Sequence, residues 1–252
     1  AAPDSTNEEL YLAQKFGRVA MGTNNIDQST NVLPELTIGL ERALGYAAAT
    51  NPIWDLEKSE CILVFNSNLT EQHNVVGIPV KRAVKHGARL IVIDSREVEL
   101  TRYSSSWLRP IPGTELLLLG GILKSIVDQG LEDSDWIQEF CEEPDTLRYA
   151  LESLDLNEIS EATQVSVISI NEAANWFGAS ERSAIVYSLD NVAQTIQRDC
   201  VESLVDMALL NPFFTATIGF ELLETSSLIL SKTKTFASTA IPMVKTIPAI
   251  PG

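Results

Sequence analysis

The chain has 252 residues, 45% of them hydrophobic, which is enough to bury the core of one large domain or a domain and a half. With 18 basic against 34 acidic residues the formal net charge is −16, a sign that repels phosphate backbones and anionic lipid and argues against nucleic acid or a membrane surface as partner. Cys61, Cys141 and Cys200 form no C-x-x-C pair, so neither a disulfide framework nor a thiolate metal cage is indicated and a reducing cytoplasm suits them.

Thr6-Asn7-Glu8-Glu9 has the form of a capping box and is followed by apolar residues at helical spacing, which predicts a first helix from about Glu8 to Met21. No basic, apolar signal segment precedes it and no initiator Met is present, so we expect a soluble piece of something longer. GTNNIDQSTN is loop by composition. CILVF and LIVID are short β-rich runs without alternation, the pattern of parallel strands covered on both faces. Between them a helix over Ile78–His86 is expected, with Pro79 in its first turn, Gly87 closing it and His86 serving as a cap.

Further helices are expected over Glu115–Asp128 and Ser166–Phe177, a third strand at SAIVYS, and a last helix carrying Val201, Leu204, Val205, Ala208 and Leu209. Alternating strands and helices predict an α/β fold with a doubly wound, mostly parallel sheet flanked by helices. No residues from Thr225 onward are acidic, and three prolines crowd IPMVKTIPAIPG, so the tail departs from the rest in composition. The tryptophans at 54, 107, 136 and 176 read as packing residues.

In open α/β sheets ligands gather at the carboxyl edge, where loop amides and helix N-termini converge. Asn66-Ser67-Asn68 leaves the first strand there, and Thr70, Glu71 and His73 complete a polar wall; an Asx turn with a helix cap accounts for the same residues equally simply. Asp94 ends the second strand, placed to accept ribose hydroxyls, with Arg96 two residues on; a solvated acid–base turn is the alternative. In RPIPGTE, Gly113, Thr114 and Glu115 open a helix, and Glu115 either stabilises its first turn or accepts N–H bonds from a guanine edge. Neither His73 nor His86 has a Ser or Cys nucleophile spaced for a triad.

Taken in order, TNEELYLAQKFGRVAMGTNNID, ATNPIWDLEKSECILVFNSNLTEQHN, VKRAVKHGARLIVIDSREVELT, WLRPIPGTELLLLGGI and CVESLVDMALL resemble the molybdopterin oxidoreductase family, specifically the catalytic (alpha) subunit of formate dehydrogenase and the related large iron–sulfur subunit of NADH–quinone oxidoreductase. The resemblance runs from about Asn7 to Leu210. It implies a formate dehydrogenase/DMSO reductase-like domain at 51–210 binding a molybdopterin guanine dinucleotide with molybdenum or tungsten. Residues 1–50 would then belong to a neighbouring discontinuous domain, and 211–252 would be an atypical tail, disordered or degenerate.

On this resemblance Asn68, Glu71 and His73 meet the dinucleotide, Asp94 and Arg96 read the guanosine, and Gly113, Thr114 and Glu115 lie beside guanine, where the family usually has Asp. The implied activity is two-electron oxidation of formate, with electrons passed to iron–sulfur clusters outside this chain and other domains or subunits as partners. Four departures stand out. Asn66 replaces a family Gly; Leu33 and Pro34 occupy the family's metal-ligand and His positions, leaving no catalytic or metal-ligating residue here; Ser188-Leu189-Asp190 stands where a Gly-rich turn is expected after the third strand; and Asn211-Pro212-Phe213-Phe214 replaces a T-G-N-x-G stretch. These leave a second reading open: a non-catalytic scaffold that keeps the fold without the metal site.

Overall fold

A computed structural model describes residues 6–26, 38–42, 49, 51–134, 137–138, 144–189, 191–210 and 216–219. The chain divides into two compact units, Ala1–Leu33 and Pro34–Gly252.

In the first unit the capping box forms as the sequence requires: the Thr6 N–H donates to Glu9 Oε2 (2.9 Å) and the Glu9 N–H to Thr6 Oγ1 (3.3 Å). It starts α1 (Asn7–Lys15), which continues as a π-helical turn over Phe16–Ala20. No residue of α1 is buried; Tyr11, Leu12, Phe16 and Val19 are all exposed.

The second unit contains β1 (Cys61–Phe65), α2 (Leu69–Gln72), α3 (Asn74–Lys85), β2 (Arg89–Ile93), β3 (Ser106–Leu108) and α4 (Glu115–Asp128). It continues with α5 (Pro144–Glu152), α6 (Leu156–Thr163), α7 (Val167–Gly178), β4 (Ser183–Tyr187), α8 (Gln197–Leu209) and β5 (Ala216–Gly219). The sheet order is β3-β2-β1-β4-β5 and every pairing is parallel, with Leu63 opposite Ile91 on one side and Ile185 on the other. The expected doubly wound α/β architecture is thus present. β5 comes from the segment 211–252, expected to be an atypical tail; the remainder of that segment lies outside the described residues.

Alternation of side chains assigns the two faces. Ile62, Val64, Leu90, Val92, Ala184 and Val186 share a cluster with Val76, Val80 and Ala83 of α3 and with Leu56, Val98 and Leu100. Leu63, Phe65, Ile91, Ile93, Ile185 and Tyr187 therefore face the other way, toward the layer of α4, α7 and α8, and all are fully buried. α4 is wedged among α6, α7 and α8, so Leu118 and Ile122 are buried besides Leu119, Leu123 and Ile126. Gly121 lets α6 approach: a Cβ there would lie 3.1 Å from Ile159. No helix among the described residues is long and apolar enough to cross a membrane.

Some expectations need correction. α3 begins at Asn74, not Ile78, so Pro79 falls inside the helix and not in its first turn. The carbonyl it leaves without an i→i−4 donor belongs to Val75, which is exposed to water, while Pro79 itself is buried with Val76 and Val80. Gly87, at φ +102°, closes the helix as expected, after His86 at the C-cap. Trp54 is not a packing residue; more than half of its surface is exposed. β3 has three residues, too few for any periodic signal.

Candidate functional site

The strand order reverses beside β1: the chain moves outward through β2 and β3, then returns to add β4 and β5 on the opposite side. Loops leaving the carboxyl ends of β1 and β4 diverge at such a point and open a crevice. The backbone marks its floor: the Asn66 N–H donates to Ile93 O (2.8 Å) and the Ser188 N–H to Phe65 O (3.0 Å).

Asn66 turns the chain with φ +46°, in the left-handed region. Among L-residues Asn tolerates this best, so it takes the backbone conformation for which the family Gly is suited. Asn66 and Ser67 are buried, yet neither the Asn66 side-chain nitrogen and oxygen nor Ser67 Oγ has a hydrogen-bond partner. Asn68 is half-buried and organises α2: its carbonyl accepts the Glu71 and Gln72 N–H groups, and its Oδ1 accepts from Thr70 Oγ1 (3.3 Å). Glu71 is exposed, and half-buried His73 links α2 to α3, its carbonyl accepting the Val76 and Gly77 N–H groups.

Asp94 follows β2 and is fully buried. Its Oδ1 accepts the Arg96 N–H (2.8 Å) with the exposed Arg96 guanidinium 3.7 Å away, while Oδ2 has no partner. Burial raises its carboxyl above the ordinary value, with the Arg96 contacts opposing that shift. The Asp94 carbonyl accepts from Trp107 Nε1 (2.8 Å), and the Ser95 carbonyl from Arg109 Nε (3.0 Å).

Glu115, at the start of α4, is also buried; its Oε2 accepts the Gly113 N–H (2.8 Å) and its Oε1 is unpartnered. Gly113 sits exposed at φ +92°, and half-buried Thr114 directs its hydroxyl to the Ile111 carbonyl (2.7 Å), so it does not cap α4. Burial raises Glu115 as well; its own and the Gly113 N–H groups oppose this and the Asp94 charge adds to it. Cys200 of α8 lies close enough for the Glu115 charge to act on it; its thiol is pushed well above its ordinary value, mainly by burial.

The structure therefore brings Asn66, Ser67, Asp94 and Glu115 together as buried polar groups with unused hydrogen-bonding capacity, while Glu71 and Arg96 are exposed at the rim. A buried group left unpaired costs about 1–3 kcal/mol, so such a concentration marks a place built for a polar ligand. No group of three or more His, Cys, Asp or Glu among the described residues could hold a metal ion. Asp94 and Glu115 are instead a two-carboxylate set, suited to hydrogen-bond donors. An open cleft of about 370 Å³ at the amino edge, lined by Ser59, Glu60, His86 and Arg182 among others, is a weaker candidate because Glu60 and Arg182 pair with each other at 2.9 Å. Leu33 and Pro34 lie outside the described residues.

The family model described as molybdopterin oxidoreductase matches residues 1–244. The chain belongs to the molybdopterin oxidoreductase family. Among its relatives, the F420-dependent formate dehydrogenase subunit alpha of Methanocaldococcus jannaschii is 34% identical over 217 residues, covering 86% of this chain and 32% of that protein. The assimilatory nitrate reductase catalytic subunit of Bacillus subtilis is 32% identical over 213 residues, covering 81% and 29%. Among solved structures, acetylene hydratase from Pelobacter acetylenicus shares the fold with a TM-score of 0.57 and 22% identity, over 69% of this chain and 23% of that one. The chain spans about a third of the length of the curated relatives it matches.

Membership of the molybdopterin oxidoreductase family implies molybdopterin as the class of cofactor, and the carboxyl-edge groups fit its polar portion. Asn66, noted from sequence as a departure, proves compatible with the required turn. Sequence reasoning did not find the contacts of Trp107 and Arg109 to the Asp94 loop. Nor did it find an acidic pair on α8: buried Glu202 lies 3.3 Å from Arg42, and half-buried Asp206 is one turn further on. The residue types are visible in the sequence, but their partners come from a strand too short and a helix too remote to recognise.

Proposed function

We propose that this chain forms the nucleotide-holding part of a formate-dehydrogenase-like molybdopterin oxidoreductase and binds a molybdopterin guanine dinucleotide at the carboxyl edge of its sheet. The observation that carries this reading is the convergence of unpartnered, buried atoms of Asn66, Ser67, Asp94 and Glu115 at the switch point. Asp94 Oδ2 would accept a ribose hydroxyl and Glu115 Oε1 a guanine N–H, with Gly113 and Thr114 flanking the base and Arg96 at the rim. Asn66, Ser67 and Asn68 would donate to the phosphate oxygens, and Glu71 and His73 would border the dinucleotide. When bound, the pterin-held metal, molybdenum or tungsten, would supply two-electron oxidation of formate, with iron–sulfur clusters outside this chain as acceptors. The full assembly would be cytoplasmic and include further domains or subunits.

A second reading is a scaffold that keeps the fold without the metal site. Leu33 and Pro34 favour it, since neither offers an atom that ligates a metal or moves a proton. Acid extraction of the purified protein, followed by pterin fluorescence and mass detection of released guanine nucleotide, separates the two. Stoichiometric pterin and GMP support the first; protein that stays free of both after production in a host making the cofactor supports the scaffold.

A further inference from the structure

Once β2 ends, the carbonyls of Asp94 and Ser95 lose their place in the ladder, and both are captured from the neighbouring strand's exit. The Trp107 indole N–H donates to Asp94 O at 2.8 Å, Arg109 Nε donates to Ser95 O at 3.0 Å, and the Asp94 N–H donates to Leu108 O at 3.3 Å. Trp107 is itself fixed, its partly buried ring packed against the apolar cluster on the α3 face of the sheet. The Arg109 guanidinium lies over that ring, 5.3 Å from its centroid, within cation–π range. Three consecutive groups on β3 and just beyond it thus hold two consecutive residues of the β2 exit, while Arg96 occupies Asp94 Oδ1 and leaves Oδ2 open.

From this geometry we infer that Trp107 and Arg109 are positioning residues, a clamp whose role is to aim Asp94 Oδ2 at a ribose hydroxyl. Held at both carbonyls, the loop meets its ligand without first being ordered, and that saving goes into affinity. A clamp serving only the fold would support every ligand of the crevice equally. One serving Asp94 affects only the contact that Asp94 makes. The inference rests on the guanine-nucleotide reading of the site.

The test is equilibrium binding of GDP and 2′-deoxy-GDP to the full chain, with thermal unfolding run in parallel. The variants are Trp107→Phe, which keeps the ring and removes the N–H, Arg109→Ala at an exposed position, and Asp94→Asn. We expect the native chain to prefer GDP about tenfold, the value of one good hydrogen bond to a charged acceptor. Asp94→Asn should abolish that preference, and Trp107→Phe and Arg109→Ala should each cut it about threefold with deoxy-GDP affinity unchanged. Preference lost in Asp94→Asn but intact in both clamp variants overturns the inference. So does equal weakening of GDP and deoxy-GDP, which reports a structural role only. Preference retained in Asp94→Asn instead sinks the nucleotide reading of Asp94, and the clamp's role with it.

Discussion

Asp206→Asn should weaken an unusual pH dependence of stability. Asp206 lies on α8 one turn beyond Glu202, and burial, with the Glu202 charge adding to it, pushes its carboxyl from 3.8 up to about 7. The folded chain therefore holds a proton that the unfolded chain releases near pH 4. Stability from this group is fully present below about pH 4 and is lost as pH rises through about 7. The interval is about 3 pH units, and at about 1.4 kcal/mol per unit the loss comes to about 4 kcal/mol. Asp206 is only half-buried, so solvent screening makes that figure a ceiling. Asp94, Glu115 and Glu202 are also raised, so they slope the same way and persist in the variant. Urea unfolding of native and Asp206→Asn chains at pH 5, 6, 7 and 8 should show the native chain weakening and the variant declining less, becoming the more stable of the two at pH 8. Parallel curves, with no gain at pH 8, would refute the reasoning.

Asn66→Val forces a β-branched side chain to φ +46° and should lower stability by about 2 kcal/mol, whereas Asn66→Gly should change it by less than about 1 kcal/mol; thermal unfolding of both checks the left-handed turn. Leu63→Ala, at the centre of the sheet and fully buried, should cost about 3 kcal/mol in urea unfolding. Glu115→Gln keeps the shape and removes the charge, so preference for GDP over ADP should fall about tenfold in equilibrium binding while the fold persists.

How much of this was legible in the sequence depends on length and regularity. CILVF, LIVID and SAIVY announced strands buried on both faces because no polar residue interrupts them, and the alternation with helices announced the winding. α4 was legible at both ends, since Thr114-Glu115 starts it and its apolar stripe stops at Asp128. β3 was not, because Ser106–Leu108 is a strand only through the pairing of Ile91, Val92 and Ile93 with it. The start of α3 was misjudged because Pro79 reads as a helix opener, while the burial of Val76 ahead of it decides otherwise.

At the site, Asp94 and Glu115 could be named from their places at a strand end and a helix start. What could not be read was their state: burial, one oxygen engaged and one free. Those depend on Arg96, Gly113 and the neighbouring strand, whose geometry no spacing rule contains. Arg42 and Glu202 are 160 positions apart and meet only because residues 38–42 pack on α8, where a Cβ at Gly39 would lie 2.9 Å from Val201.

The measurement that bears most directly on the central claim is amide hydrogen exchange of the chain with and without GDP, resolved to short peptides. Binding at the carboxyl edge predicts slowed exchange in the segments 66–73, 94–96 and 113–115, with α5 and α6 unchanged. Protection confined to the amino-edge cleft around Ser59, Glu60 and His86, or no protection anywhere at saturating GDP, would contradict it.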